Sequence, residues 1–247
     1  MVLDEREDAY GAAIRDHHAG EESYEVIERD DGWIGISAGT DLYFSEYDAW
    51  SDSEQAAVAR AEGRVLDVGC GAGRHALYLQ GRDHGVVGID VSPGAVEVSR
   101  DRGVDARPLD VADVRELDAE PFDTVLMLGN NFGLVGTRAT APSVLAGLAA
   151  VTTDDARLLA GTRDPYAADD PNHTTYHELN RERGRLGGAL RIRTRYERRA
   201  TPWFDYLLVA PEELREVVAP TPWDVAEILE PNRLDETGDY VAELRKA

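Results

Sequence analysis

Lysine is almost missing from this chain of 247 residues: of 26 basic residues only Lys246 is not arginine, against 48 Asp and Glu. The formal net charge of −22 keeps a protein soluble through self-repulsion, and concentrated salt screens that repulsion. The composition therefore points to a salt-adapted prokaryotic cell and counts against nucleic acid as a partner. Cysteine is reduced to Cys70, which excludes an intrachain disulfide and a multi-cysteine zinc site. Also missing is any apolar run long enough to span a membrane. The opening "MVLDEREDAYGAA" lacks the basic and apolar regions of a signal peptide, so a cytoplasmic location is expected. No repeat or low-complexity tract is visible, and the length suits one α/β domain with additions.

What is present falls into three parts. Residues 1–62 form a cap segment. "LDEREDAYGAAIRDHH" reads as a polar helix, and "SYEVIERDDGWIGIS" as two extended runs around Asp31 and Gly32. In "DLYFSEYDAWSDSEQAAVARAEG", Tyr43, Tyr47 and Trp50 fall on one helical stripe, a core face or a lid. From residue 63 strands and helices alternate. "RVLDV", "GVVGID", "ARPL", "DTVLMLG" and "ARLLAGT" read as strands, with "RHALYLQ", "PGAVEVSRDRG" and "APSVLAGLAAV" as helices. That order predicts a Rossmann-like, mostly parallel sheet with helices on both faces. After Thr162 the rhythm breaks, and residues 163–210 read as a polar, turn-rich stretch followed by antiparallel strands: an insertion within a domain of 63–247. The helix "PEELREVV" and the strands "WDVAEIL" and "DYVAELR" close the chain.

The loop "DVGCGAGR" sets Gly69, Gly71 and Gly73 at alternate positions between a strand and a helix, where a ligand can reach the backbone. A dinucleotide loop carries a small residue where this one has Arg74. Asp67, two residues before the first glycine, would oppose a pyrophosphate and attract a ligand bearing ammonium and sulfonium groups. Asp90, ending the second strand, can accept both ribose hydroxyls of an adenosine. Asp110 in "LDVADV" can accept an adenine amine between Val91 and Val111, or simply cap a turn.

These motifs together resemble the class I S-adenosylmethionine-dependent methyltransferases. "VLDVGCGAGRHALYL", "VVGIDVSPGAVEVSR", "LDVADV" and "FDTVLMLGNNFG" match their successive motifs over about residues 62–162. The resemblance implies a seven-stranded sheet with an antiparallel last strand and S-adenosylmethionine as cofactor. It places Asp67, Gly69, Gly71 and Gly73, with the Cys70 backbone, at the methionine end. Asp90 falls at the ribose and Val91, Asp110 and Val111 around the adenine, while Leu128 to Asn130 close the methionine side. Cys70 itself reads as a small buried filler.

The acceptor is less clearly marked, because in-line displacement at a sulfonium needs alignment and a dry site more than a special side chain. No catalytic residue is assigned. "LGNNFGLVG" lacks the two prolines that the amino-methylating nucleic-acid enzymes of that family carry at this place. Asn130 and Asn131 can position a polar acceptor or shape a turn. Arg163, His173, Tyr176 and His177 follow the fifth strand and are candidate acceptor contacts. His173 and His177 share a face if helical, but a third ligand is missing, so no metal is expected. Arg191, Arg193 and Arg195 alternate along "RIRTRY" and either pair with the protein's own acids or form a fork for an anion. The expectation is methyl transfer to a small, in one reading anionic, molecule. The alternatives are cofactor binding without turnover, action on tRNA or protein, and nicotinamide redox chemistry.

Overall fold

The computed structural model describes residues 1–37, 39–167, 170–229 and 238–247. The chain opens with helix α1 (Ala9–His18) and the hairpin of β1 (Val26–Arg29) and β2 (Ile34–Ile36). Two short 3-10 turns, Thr40–Phe44 and Tyr47–Ala49, lead to α2 (Asp52–Val58). Strand and helix then alternate through β3 (Val65–Val68), α3 (Arg74–Gln80), β4 (Val86–Asp90), α4 (Pro93–Asp101), β5 (Asp105–Pro108), β6 (Phe122–Met127), α5 (Ala141–Ala150) and β7 (Thr152–Arg163). Helix α6 (Pro171–Glu182), strands β8 (Ala189–Tyr196), β9 (Arg199–Ala200) and β10 (Phe204–Leu207), helix α7 (Pro211–Val218), and strands β11 (Trp223–Leu229) and β12 (Asp239–Lys246) complete it.

The main sheet has seven strands in the order β11-β12-β7-β6-β3-β4-β5. β3 to β7 pair in parallel and β12 runs antiparallel to both its neighbours. β3 and β4 are buried at every residue, which is why they read as mainly Val, Leu and Ile, with Asp67, Gly88 and Asp90 among them, rather than as an alternation. The chain moves outward from β3 to β5 and then returns to β6 on the other side of β3, so a crevice opens at the carboxyl ends of β3 and β6. Trp223 anchors the far end of the core, fully buried, with its indole N–H donating to the Leu145 carbonyl at 2.9 Å.

A second sheet joins what the sequence keeps apart. β8 pairs antiparallel with both β1 and β10, giving the order β10-β8-β1-β2 with β9 beside β8. The cap (1–62) and the insertion (163–210) thus share one ladder, with Glu28 directly opposite Arg193. Two expectations are corrected here. The polar stretch after Thr162 holds α6, started by the Asp170 side chain accepting from Asn172 N–H at 2.8 Å, with Pro171 in the first turn. Tyr43, Tyr47 and Trp50 do not lie on one helix. The chain breaks at Ser45 and Glu46, so Tyr43 packs on Tyr10 while Tyr47 and Trp50 pack on Tyr78 of α3.

Helix α1 is fastened to the main domain by Asp8, which is fully buried. One carboxylate oxygen accepts from Gly11 N–H and the Ser92 hydroxyl, both at 2.8 Å, and the other accepts from Gly94 N–H at 2.8 Å. The two helices meet so closely that a Cβ on Gly94 would stand 2.7 Å from the Gly11 backbone. Gly94→Ala is therefore expected to lower unfolding stability by about 1–3 kcal/mol. Gly81→Ala, at a helix end with negative φ and ordinary contacts, is expected to be neutral or to stabilise by about 0.5 kcal/mol. Denaturant titration of both variants checks this, and equal effects would refute the close helix contact.

Candidate functional site

The loop between β3 and α3 turns through left-handed backbone at Gly69, Gly71 and Gly73, with φ of 68°, 54° and 82°. Two side chains hold its shape. The Asn131 amide donates to the Val68 carbonyl at 3.0 Å and the Gly69 carbonyl at 2.9 Å. The Asp90 carboxylate accepts from Gly71 N–H at 3.0 Å and from Ser92 N–H at 2.9 Å. Over the loop, the Tyr10 hydroxyl stands 2.7 Å from where a Cβ on Gly71 would be. Asp67 is buried, and among the described residues its Oδ2 has no hydrogen-bond partner. Burial raises its pKa, while the charges of His75 and Arg74 pull it down. A buried carboxylate oxygen without a donor fits a ligand that brings an ammonium group.

On the nucleoside side, Asp90 ends β4, Val91 is half-buried and Val111 buried. Asp110 caps the turn that follows β5, its Oδ1 accepting from Ala112 N–H at 2.9 Å. The capping role is thus realised, and Oδ2 is the oxygen that faces away from it, here toward the Met1 amino group. Leu128, directly after β6, is buried in the core. Cys70 is a filler as expected: its sulfur would contact a Cβ on Gly88 at 2.8 Å, and burial pushes the thiol well above its usual pKa.

The candidate acceptor contacts divide. Asn130 adopts left-handed backbone, its side chain reaches Asp239 at 3.3 Å, and its carbonyl accepts from the Tyr206 hydroxyl at 2.6 Å. Asn131 takes the shaping role weighed for it, since the carbonyls it holds are those at the end of β3 and of the first loop glycine. Arg163 pairs with Asp239 through Nε at 2.6 Å and Nη2 at 3.1 Å. Tyr176 is buried, donates to Asp30 at 2.6 Å and lies under Arg29, both from the cap. His173 meets Arg29 at 3.0 Å and packs on Trp33. His177 is buried one turn further on, and burial with the neighbouring His173 and Arg181 charges lowers its pKa to about 4, so it is neutral at pH 7. For Arg193 the structure holds the pairing with the protein's own acids. Its guanidinium pairs with Glu28 at 2.8 Å and lies over Trp203, Arg195 shares Glu28, and Arg191 pairs with Asp205.

The family described as Methyltransferase domain matches residues 65–155, which hold the glycine loop, Asp90 and Asp110. A structure of an S-adenosylmethionine-dependent methyltransferase from Bacteroides fragilis in complex with S-adenosyl-L-homocysteine is 28% identical. It aligns with a TM-score of 0.84 over 100% of this chain and 98% of that one. Residues 65–155 thus carry a methyltransferase domain, and the chain as a whole is similar to S-adenosylmethionine-dependent methyltransferases. A 2-heptyl-1-hydroxyquinolin-4(1H)-one methyltransferase of Mycobacteroides abscessus is 41% identical over 59 residues, a match spanning 22% of this chain and 26% of that protein. The CcbJ methyltransferase of Streptomyces caelestis shares the fold, with a TM-score of 0.63 at 18% identity over 99% of this chain and 100% of that one.

In this methyltransferase the structure adds residues that sequence reading missed. Tyr10 lies over the loop, and Tyr43 meets it edge-on with ring centroids 5.1 Å apart. Glu25 is 1% exposed behind Tyr43, and Tyr206 stands against Gly133. Arg74 bridges Glu54 at 2.6 Å and Ser45 at 3.1 Å, fixing the cap to the start of α3. No local signal marks Glu25 among 48 acidic residues. Tyr10 was legible only as a helix residue, since its neighbour is a loop far along the chain.

Burial pushes the Asp90 carboxyl up to about 6, the charges of Asp8 and Asp67 adding to it and the two amide donors opposing. A folded-state pKa raised above the usual carboxylate range means that the unliganded fold loses stability as pH rises through that interval to about 6. Ribose hydroxyls need the ionised form as acceptor, so ligand affinity has the opposite slope. S-adenosylhomocysteine is expected to bind about tenfold more weakly at about pH 5 than at about pH 7. Calorimetry on wild type and Asp90→Asn checks this; an unchanged slope in the variant would remove Asp90 from the ribose site.

Proposed function

We propose that this methyltransferase transfers a methyl group to a small-molecule acceptor in a salt-rich cytoplasm. The observation that carries the reading is the crevice between two buried carboxylates, Asp67 with a partnerless oxygen and Asp90 on the loop amides, roofed by Tyr10. When bound, S-adenosylmethionine supplies a methyl group on a positively charged sulfur, an electrophile that needs no further activation. Asp67 would take the ammonium of its methionine end, Asp90 the ribose hydroxyls, and Val91, Val111 and Asp110 the adenine. The glycine loop and the turn at Leu128 to Asn130 would border the methionine side.

What the chain contributes is alignment and exclusion of water. The cap and the insertion, joined in one sheet, support an enclosed acceptor, and the pairing of the β8 arginines removes the basic surface that a nucleic acid would need. The quinolone substrate in the name of the Mycobacteroides protein also supports a small molecule. The net charge of −22 with a single lysine supports the salt-rich setting.

Titration calorimetry in about 2 M KCl with S-adenosylmethionine, S-adenosylhomocysteine and NAD tests the donor. Both adenosyl ligands are expected to bind, Asp67→Ala to weaken them by about 2 kcal/mol, and NAD not to compete. Binding of NAD alone would overturn the reading. The thermal midpoint is expected to rise from about 0.1 M to about 2 M KCl as surface repulsion is screened; a flat or falling midpoint would refute the salt adaptation.

A further inference from the structure

We infer that the acceptor is a cationic amine, received by Glu25 and the rings of Tyr10, Tyr43 and Tyr206; this rests on the methyl-transfer reading above. Glu25 is 1% exposed, yet among the described residues its carboxylate has no cationic partner. It accepts only from hydroxyls, Tyr43 at 2.6 Å and Thr40 at 3.3 Å. Burying a carboxylate is costly without a countercharge, so the position favours a ligand that brings one.

The surrounding side chains connect Glu25 to the transfer site. Tyr43 meets Tyr10 edge-on, and the Tyr10 hydroxyl lies over Gly71 within reach of the Glu25 and Asp90 charges. On the other side Tyr43 feels the hydroxyl of Tyr206, which donates to the Asn130 carbonyl beside the end of β6. The three tyrosines therefore run from the cap carboxylate to both rims of the crevice. Aromatic faces backed by a carboxylate attract a cation.

Of the arginines about this region, Arg102 lies over the Phe44 ring and donates to the Ala72 carbonyl, and three others are paired with acids. Arg74 is paired with Glu54, Arg163 with Asp239, and Arg193 with Glu28. An anionic acceptor would meet Glu25, Asp67 and Asp90. For an ammonium acceptor the proton passes through the Tyr43 hydroxyl to Glu25. With S-adenosylmethionine bound, the freed nitrogen lone pair would bond the methyl carbon as the carbon–sulfur bond breaks toward sulfur, giving the methylammonium product, S-adenosylhomocysteine and a protonated Glu25.

The test uses three probes of one shape and different charge on the S-adenosylhomocysteine-loaded protein: choline, neutral 3,3-dimethylbutan-1-ol and anionic 3,3-dimethylbutanoate. Calorimetry is expected to show choline at least about tenfold tighter than either other probe. Glu25→Gln should abolish that preference while S-adenosylhomocysteine binds as in wild type, and Tyr43→Leu should weaken choline through loss of the ring. Equal binding of the three probes, no choline binding, or a preference that survives Glu25→Gln would overturn the proposal. The wild-type comparison needs no variant to fold. Failure of S-adenosylhomocysteine itself to bind is a separate result, which would refute the methyl-transfer reading beneath it.

Discussion

The carboxylate of Asp90 takes the amides of Gly71 and Ser92, and the Ser92 hydroxyl in turn binds Asp8. This short chain of bonds ties together the glycine loop, the start of α4 and the N-terminal helix, and the crevice exists because it holds. Remove the first link and the loop amide turns elsewhere. Remove the last and α1 no longer places Tyr10 over Gly71. Both acids are buried, and both are satisfied by N–H and O–H donors rather than by cations. Such bonds are directional, so they fix positions more tightly than a surface ion pair would.

Charge is handled differently on the second sheet. There the arginines of β8 stand opposite or beside acids of β1 and β10, and the ladder register sets each pair. Partly exposed pairs of this kind add little stability, especially in salt. They offset the alternating arginines of β8 and join the cap to the insertion. Asp67, Asp90 and Glu25 are buried near the glycine loop without a cation among the described residues, which leaves that region negative.

Most of the main sheet was legible in the residues. Buried parallel strands carry mainly apolar runs, and α4 announces its start with Ser92 and Pro93. Asp67 and Asp90 were legible because each lies within a few residues of the loop or strand end that it serves. Helix α6 was not, because its mean composition is polar and its buried face is set by Tyr176, His177 and Asn180 against the cap. Asn131 looked like an acceptor contact from its place after β6. Only the folded loop shows that its amide serves the Val68 and Gly69 carbonyls.

By itself the sequence determined the parallel sheet, the glycine loop and the order of the carboxylates along it, since these depend on periodicity and short spacing. The tertiary structure alone decided that the cap and the insertion share a ladder, that Arg193 belongs to Glu28, and that Glu25 stands buried behind Tyr43 near the loop. Those outcomes join residues up to 169 positions apart, as Val26 pairs with Arg195. Which of 48 acids meets an arginine and which is buried without one is set by strand register and helix docking, and no local pattern encodes either.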